Sequence, residues 1–253
     1  MATVSRKAWN KYIADLRKIS DKAADEAEKY IKTHSIMSPA EMQRFIEYAY
    51  ALATKYGEAA GALACEMYDA LAALSGAAVP PAVPAQTATY GDIAKAVYGT
   101  YKMNPEITSS AIGRQVKLVG VDTMQQNALR DGAEWAWIPS GDTCAFCLTL
   151  ASRGWQRASK NAIRNGHAEH VHANCDCTYA IRFSNDIDVE GYNPDEYLEM
   201  YEGADGDSPE GRINALRREF YAKNKETINE QKRSAYAKRK ERNSSAAEET
   251  NVD

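Results

Sequence analysis

Long apolar runs are absent. The most apolar stretch, 59–83, is mostly alanine, carries Glu66 and Asp69, and then meets Pro80 and Pro81, which makes it a poor membrane-spanning helix. The N-terminus has no apolar core after its basic residues, so no signal peptide is expected and synthesis in the cytoplasm follows. Neither charge sign dominates: 31 Lys and Arg stand against 35 Asp and Glu, net −4, and overall charge singles out neither nucleic acid nor membrane as a partner. Cysteine and histidine are scarce, five and four, which excludes a small disulfide scaffold. No P-loop, glycine-rich dinucleotide loop or nucleophile elbow is present. Phe and Trp are few, four each, against 15 Tyr, a ring that suits half-wet surfaces and interfaces. The 253 residues, 44% hydrophobic, suffice for one sizeable core or two small ones.

The apolar residues that are present follow helical spacing. Trp9, Tyr12, Ile13, Leu16 and Ile19 make one amphipathic stripe, and Ser38-Pro39-Ala40-Glu41 has the pattern of a helix start. Phe45, Ala49, Leu52, Tyr56, Leu63, Met67, Leu71 and Leu74 then trace one face of a long alanine-rich helix, which Gly57 and Gly61 are expected to loosen. Together these make a helical hairpin. Pro80, Pro81 and Pro84 exclude helix and central strand, and 77–89 reads as an extended linker. Three small helices are expected at 92–101, 108–119 and 122–130, then an extended stretch at 135–138. Tyr179, Ile181 and Phe183 alternate as in a strand over 178–183. A last helix begins near 212. Residues 212–242 hold eleven Lys or Arg and four Glu, and the polar end, 244–253, is expected to be disordered. The reading is a mainly α protein: a helical N-terminal region (1–76), a Pro/Ala-rich linker (77–89), a compact α-rich module with a small β element around a Cys/His zinc knot (90–211), and a basic helix and tail (212–253).

Four of the five cysteines and three of the four histidines fall within 34 residues: Cys144-Ala-Phe-Cys147, then His167, His170, His172, Cys175 and Cys177. In a cytosolic chain this pattern reads as a metal site. The turn of C-x2-C brings two thiolates to one tetrahedral ion, and His172, Cys175 and Cys177 offer three candidates for the other two places. Thiolate-rich ligation with no open position points to structural zinc. The other readings are reduced thiols or a Cys–Cys pair, and a zinc-dependent nucleic-acid enzyme or toxin. For a deaminase, His167-Ala-Glu169 supplies H-x-E, but the order of elements is reversed and Thr143 stands where that motif has Pro. A nuclease would use His170 or His172 with Asn174.

The run from Ile138-Pro-Ser-Gly-Asp-Thr-Cys144-Ala-Phe-Cys147 to Gly154, followed by His172-Ala-Asn-Cys175-Asp-Cys177, resembles the minor capsid or head-morphogenesis proteins of tailed phages. These are the phage Mu F-like group and its relatives in phages of Gram-positive hosts. The lead-in from Asp122 to Asp131 is similar as well, and the resemblance covers roughly 120–183, with Val171 a minor departure. It implies a low-copy, non-enzymatic virion or procapsid component made in the host cytoplasm. It further implies contacts with the portal and with the major capsid or scaffolding protein, no membrane, and packaged DNA as a candidate partner of the basic helix.

Overall fold

A computed structural model describes residues 2–34, 36, 38–101, 105–140, 144–159, 177–184 and 187–249. Among them are seven helices and two small sheets, and about 70% of the described residues are helical, so the fold is mainly α as expected. Helix α1 (Arg6–Thr33) starts where the Ser5 side chain accepts the backbone N–H of Ala8 at 3.2 Å. It buries Trp9, Tyr12, Ile13 and Leu16, then Ala23 and Ala27. Helix α2 (Pro39–Leu74) opens on the expected capping box. Ser38 Oγ accepts from Glu41 N at 3.2 Å, and Glu41 Oε2 accepts from Ser38 N at 2.7 Å.

The buried face of α2 departs from the expected one in its middle. Phe45, Ala49, Leu52 and Leu71 are buried, but Tyr56, Leu63 and Met67 only flank the core and Leu74 is 43% exposed. The packed surface there is the small-residue series Ala53, Gly57, Ala60, Gly61 and Ala64. Gly57 does not loosen the helix, which is continuous. A Cβ on it would stand 3.0 Å from Thr87 Cγ2, so glycine is what lets the neighbouring chain approach.

That neighbour is the proline-rich segment 77–89. It is extended, as its prolines require, and it lies as a strap along α2 and the fourth helix. Helix α3 (Tyr90–Tyr101) follows it, and then α4 (Pro105–Asp131). The two short helices expected at 108–119 and 122–130 are one helix. Polar and apolar residues mix around its circumference because it packs against α1, α2, α3 and a sheet, so no clean stripe marks it. Ile112, Val116, Val119, Val121, Met124 and Ala128 are buried, and so are Thr108, Ser109, Thr123, Gln125 and Asn127.

The buried polar groups of α4 hold the strap. Asn127 works both ways: Val83 N–H donates to its Oδ1 at 2.9 Å, and its Nδ2 donates to Val83 O at 2.8 Å. Ala85 N–H donates to Thr123 Oγ1 at 2.9 Å. Arg130 donates to Pro80 O at 2.9 Å and to Pro81 O at 3.1 Å, and Asp69 of α2 accepts Ala82 N–H at 2.8 Å. Asp131 receives the Tyr68 hydroxyl at 2.7 Å and the Arg130 guanidinium, which holds its carboxyl below the ordinary range.

Three strands form the larger sheet: β2 (Glu134–Ile138) at the centre, antiparallel to both β3 (Gln156–Arg157) and β4 (Thr178–Arg182). The two expected extended stretches, 135–138 and 178–183, are thus partners. Thr178, Tyr179, Ala180 and Ile181 are all buried, so β4 is covered on both faces rather than one. A feature the sequence did not signal is the parallel pairing of β1 (Ala2–Val4) with β5 (Ile187–Val189), which ties residues near the start of the chain to the acidic region. Helix α5 (Ala145–Ala151) precedes β3, and α6 (Pro194–Glu202) and α7 (Pro209–Glu249) close the described chain. The helical backbone of α7 runs on to Glu249, past the point where composition suggested loss of order. No described helix is long and apolar enough to cross a membrane.

Replacing Asn127 with Ala leaves the N–H and C=O of Val83 without protein partners beside a packed helix. A loss of about 1–3 kcal/mol in urea unfolding is expected. An unchanged midpoint would show that the strap is not held by this pair.

Candidate metal centre

The sheet brings the two halves of the cysteine motif to one end. Ile138, the last residue of β2, pairs with Thr178, the first of β4. The chain leaving β2 reaches Cys144 six residues on, and Cys177 directly precedes β4. Cys144 is the N-cap of α5, in extended conformation (φ −74°, ψ 161°), and its Sγ accepts the backbone N–H of Cys147 at 3.5 Å. A sulfur that carries negative charge is favoured by such an N–H and by the positive end of a helix. Cys147 and Cys177 are each 1% exposed. Both lie in one apolar cluster, with the half-buried Cys144 packed against it.

The end of α5 is equally defined. Gly154 sits at φ +63°, a conformation costly for other residues, and its N–H donates to Ala151 O at 3.2 Å. Ala151 O also receives the Tyr192 hydroxyl at 2.8 Å. Beside the cysteine turn, Tyr179 of β4 stacks on Trp135 (4.6 Å between centroids) and meets Trp137 edge-on (4.7 Å). Burial pushes the Tyr179 hydroxyl well above the ordinary phenol range, with Gln125 and Arg153 opposing and the Cys147 thiol adding slightly. Trp135, Trp137, Leu150, Arg153 and Tyr179 help line a cavity of ≈20 Å³, room for about one water.

The sequence named five metal ligands, and the structure describes three of them. Cys144 and Cys147 share one turn, and Cys177 belongs to the same cluster. His172 and Cys175 lie outside the described residues, as do His167, His170 and Asn174. Among the described residues, no group of three or more His, Cys, Asp or Glu could hold a metal ion, and no disulfide joins Cys65, Cys144, Cys147 or Cys177. The donor chemistry of the Cys144–Cys147 turn, two thiols on one N-capped turn, fits a thiolate-binding ion. Sequence reasoning missed the aromatic wall of Trp135, Trp137 and Tyr179. Only the β2–β4 register assembles it.

A family model described as VG15 protein matches residues 3–204. This chain belongs to the VG15 protein family. The family is one of viral gene products, and membership points to a phage protein. No curated protein and no solved structure shows a significant match. The VG15 match takes in everything from β1 through α6, the cysteine turn and the strap included, and stops before α7.

Asp122, in the α4 lead-in to the cysteine motif, carries a testable pH signature. Burial lifts its carboxyl to about 6, against the opposing pull of Arg114. A carboxyl that holds its proton more tightly folded than unfolded stabilises the fold below its unfolded pKa, and that contribution is lost as pH rises through about 6. Asp122→Asn is therefore expected to raise stability at about pH 7.5 by on the order of 2 kcal/mol, and by much less at about pH 4. Urea midpoints at both pH values decide it; equal effects at both would refute the buried-carboxyl account.

Proposed function

We propose that this VG15 protein is a minor capsid, or head-morphogenesis, protein: a low-copy structural component of the phage head or procapsid. It acts near the portal in head assembly or in DNA packaging and ejection, and is made in the host cytoplasm. The observation that carries the reading is the family match over 3–204, which spans the ordered series Cys144, Cys147, His172, Cys175 and Cys177. The partners it implies are the portal and the major capsid or scaffolding protein, with no membrane. Its work is binding, and no catalytic residue is assigned.

The cysteine turn would hold a structural zinc, with Cys144 and Cys147 as two ligands and two of His172, Cys175 and Cys177 as the others. The ion would neutralise the buried thiolates and cross-link the segments after β2 and before β4, stiffening a stretch with few large apolar residues. This reading expects about one zinc per chain by elemental analysis. Cys147→Ser should lose the metal and loosen the module, whereas Cys65→Ser, remote on α2, should keep it. A metal-free wild-type chain that is fully folded would remove zinc from the account. His167→Ala and His170→Ala should leave fold and metal intact; abolition of a nuclease or deaminase activity by either change would favour the enzyme or toxin reading instead.

The head-protein reading is tested by quantitative mass spectrometry of purified heads and procapsids. A few copies per head are expected. Absence from both would overturn it.

A further inference from the structure

Among the described elements, α7 alone lies wholly beyond the family match. Its first turns are anchored: Ala215 and Leu216 are buried with Ala145, Leu148 and Ala204, and Phe220, Tyr197 and Tyr201 pack around them. Arg212 lies over the Tyr201 ring, 5.7 Å from its centre, and its Nε donates to Gly206 O at 3.2 Å. Farther along, Tyr221 is 44% exposed, and Lys223, Lys225 and Arg233 are all exposed.

Charge on this helix is unevenly divided. Residues 212–242 carry a net +7 in a chain whose total is −4, so the remainder carries −11. At 3.6 residues per turn, positions seven apart fall nearly in line. Arg218, Lys225, Lys232 and Arg239 form such a series, and positions 217 and 242, both Arg, flank it. All four glutamates, at 219, 226, 230 and 241, fall on the other side, together with the five remaining basic positions. The charged positions on one side of α7 are thus all basic over about 37 Å of axis. Among the described residues, no ion pair engages Arg217, Arg218, Lys223, Lys225 or Arg233.

We propose that this basic side of α7 is a binding surface for duplex DNA, gripping the phosphate backbone without reading sequence. Length decides the partner. The nearest acidic alternative, α6 of a second copy, offers Asp195, Glu196, Glu199 and Glu202 over about 10 Å, too short to neutralise the stripe. A duplex presents a negative charge every ~1.7 Å of axis and matches the stripe along its whole length. Its charged positions are arginine and lysine, donors suited to phosphate oxygens, with Tyr at positions 221 and 236 interleaved at helical spacing on the same side. The inference deepens the head-protein reading, in which the packaged genome is the duplex at hand. The two fail separately: absence from heads would sink that reading while leaving binding in solution intact.

The test uses the full chain and two fluorescein-labelled 30-base-pair duplexes of unrelated sequence, with anisotropy followed across salt. Comparable affinity for both is expected, with a log–log salt slope of about −4 to −6. R218A/K225A/K232A/R239A should weaken binding at least tenfold near 0.1 M salt and reduce the slope by about 3. An unchanged thermal melt confirms its fold. E219Q/E226Q, on the opposite side, should bind at least as tightly as wild type. No binding at low salt, or full binding by the four-alanine variant, would overturn the proposal. So would salt-sensitive self-association in sedimentation velocity that the four-alanine variant loses while duplex binding is absent, an outcome that assigns the stripe to a second copy.

Discussion

Helix α4 packs over most of its circumference, and most of the structure follows from that constraint. A helix that meets α1, α2, α3 and a sheet keeps only a narrow exposed line, at Ile107, Gln126 and Arg130, and buries many of its polar side chains. Each buried polar group must then find a partner inside, because an unpaired one costs more than the bond it could have made. Thr123 and Asn127 find theirs in the backbone of the strap, and Arg130 in the carbonyls of Pro80 and Pro81. The strap in turn needs α4. Three prolines deny it helix and sheet, and side chains of α4 and α2 take up the backbone groups of Ala82, Val83 and Ala85.

The same arrangement positions the cysteine motif. Helix α4 delivers the chain into β2, whose far end carries the Cys144–Cys147 turn, and β4 returns alongside with Cys177 at its start. Tyr179 shows how closely the two are joined: it stacks on Trp135 and meets Trp137 edge-on, and it shares one buried cluster with Cys147 and Cys177. In a tightly packed interior the loss of any one such member is felt by its neighbours.

Charge is distributed on a different plan from packing. The body and its family-matched region are acidic on balance, while residues 212–242 of α7 are basic. With Ala215, Leu216 and Phe220 packed at its start, α7 carries this charge on positions that follow the anchored turns.

Local pattern made several elements legible. The Ser38–Glu41 capping box, the α1 stripe from Trp9 to Leu16, the extended prolines and the strands at 135–138 and 178–183 are set by neighbours in the chain, and a capping side chain or a period of 3.6 or 2 can be read without knowing what lies opposite. The cysteine spacing was legible for the same reason, since C-x2-C encodes its own turn. What only tertiary structure decided depends on partners remote in sequence. Helix α4 read as two pieces because its packed faces bury Thr108, Ser109, Lys117, Thr123, Gln125 and Asn127 among the apolar residues, which breaks up the apolar stripe. The middle of α2 packs through Gly57, Ala60, Gly61 and Ala64 rather than Tyr56, Leu63 and Met67, because close approach selects small residues over hydrophobic ones. The β1–β5 pairing and the aromatic wall at Tyr179 have no local signature at all, since the contacts that create each join residues more than forty positions apart.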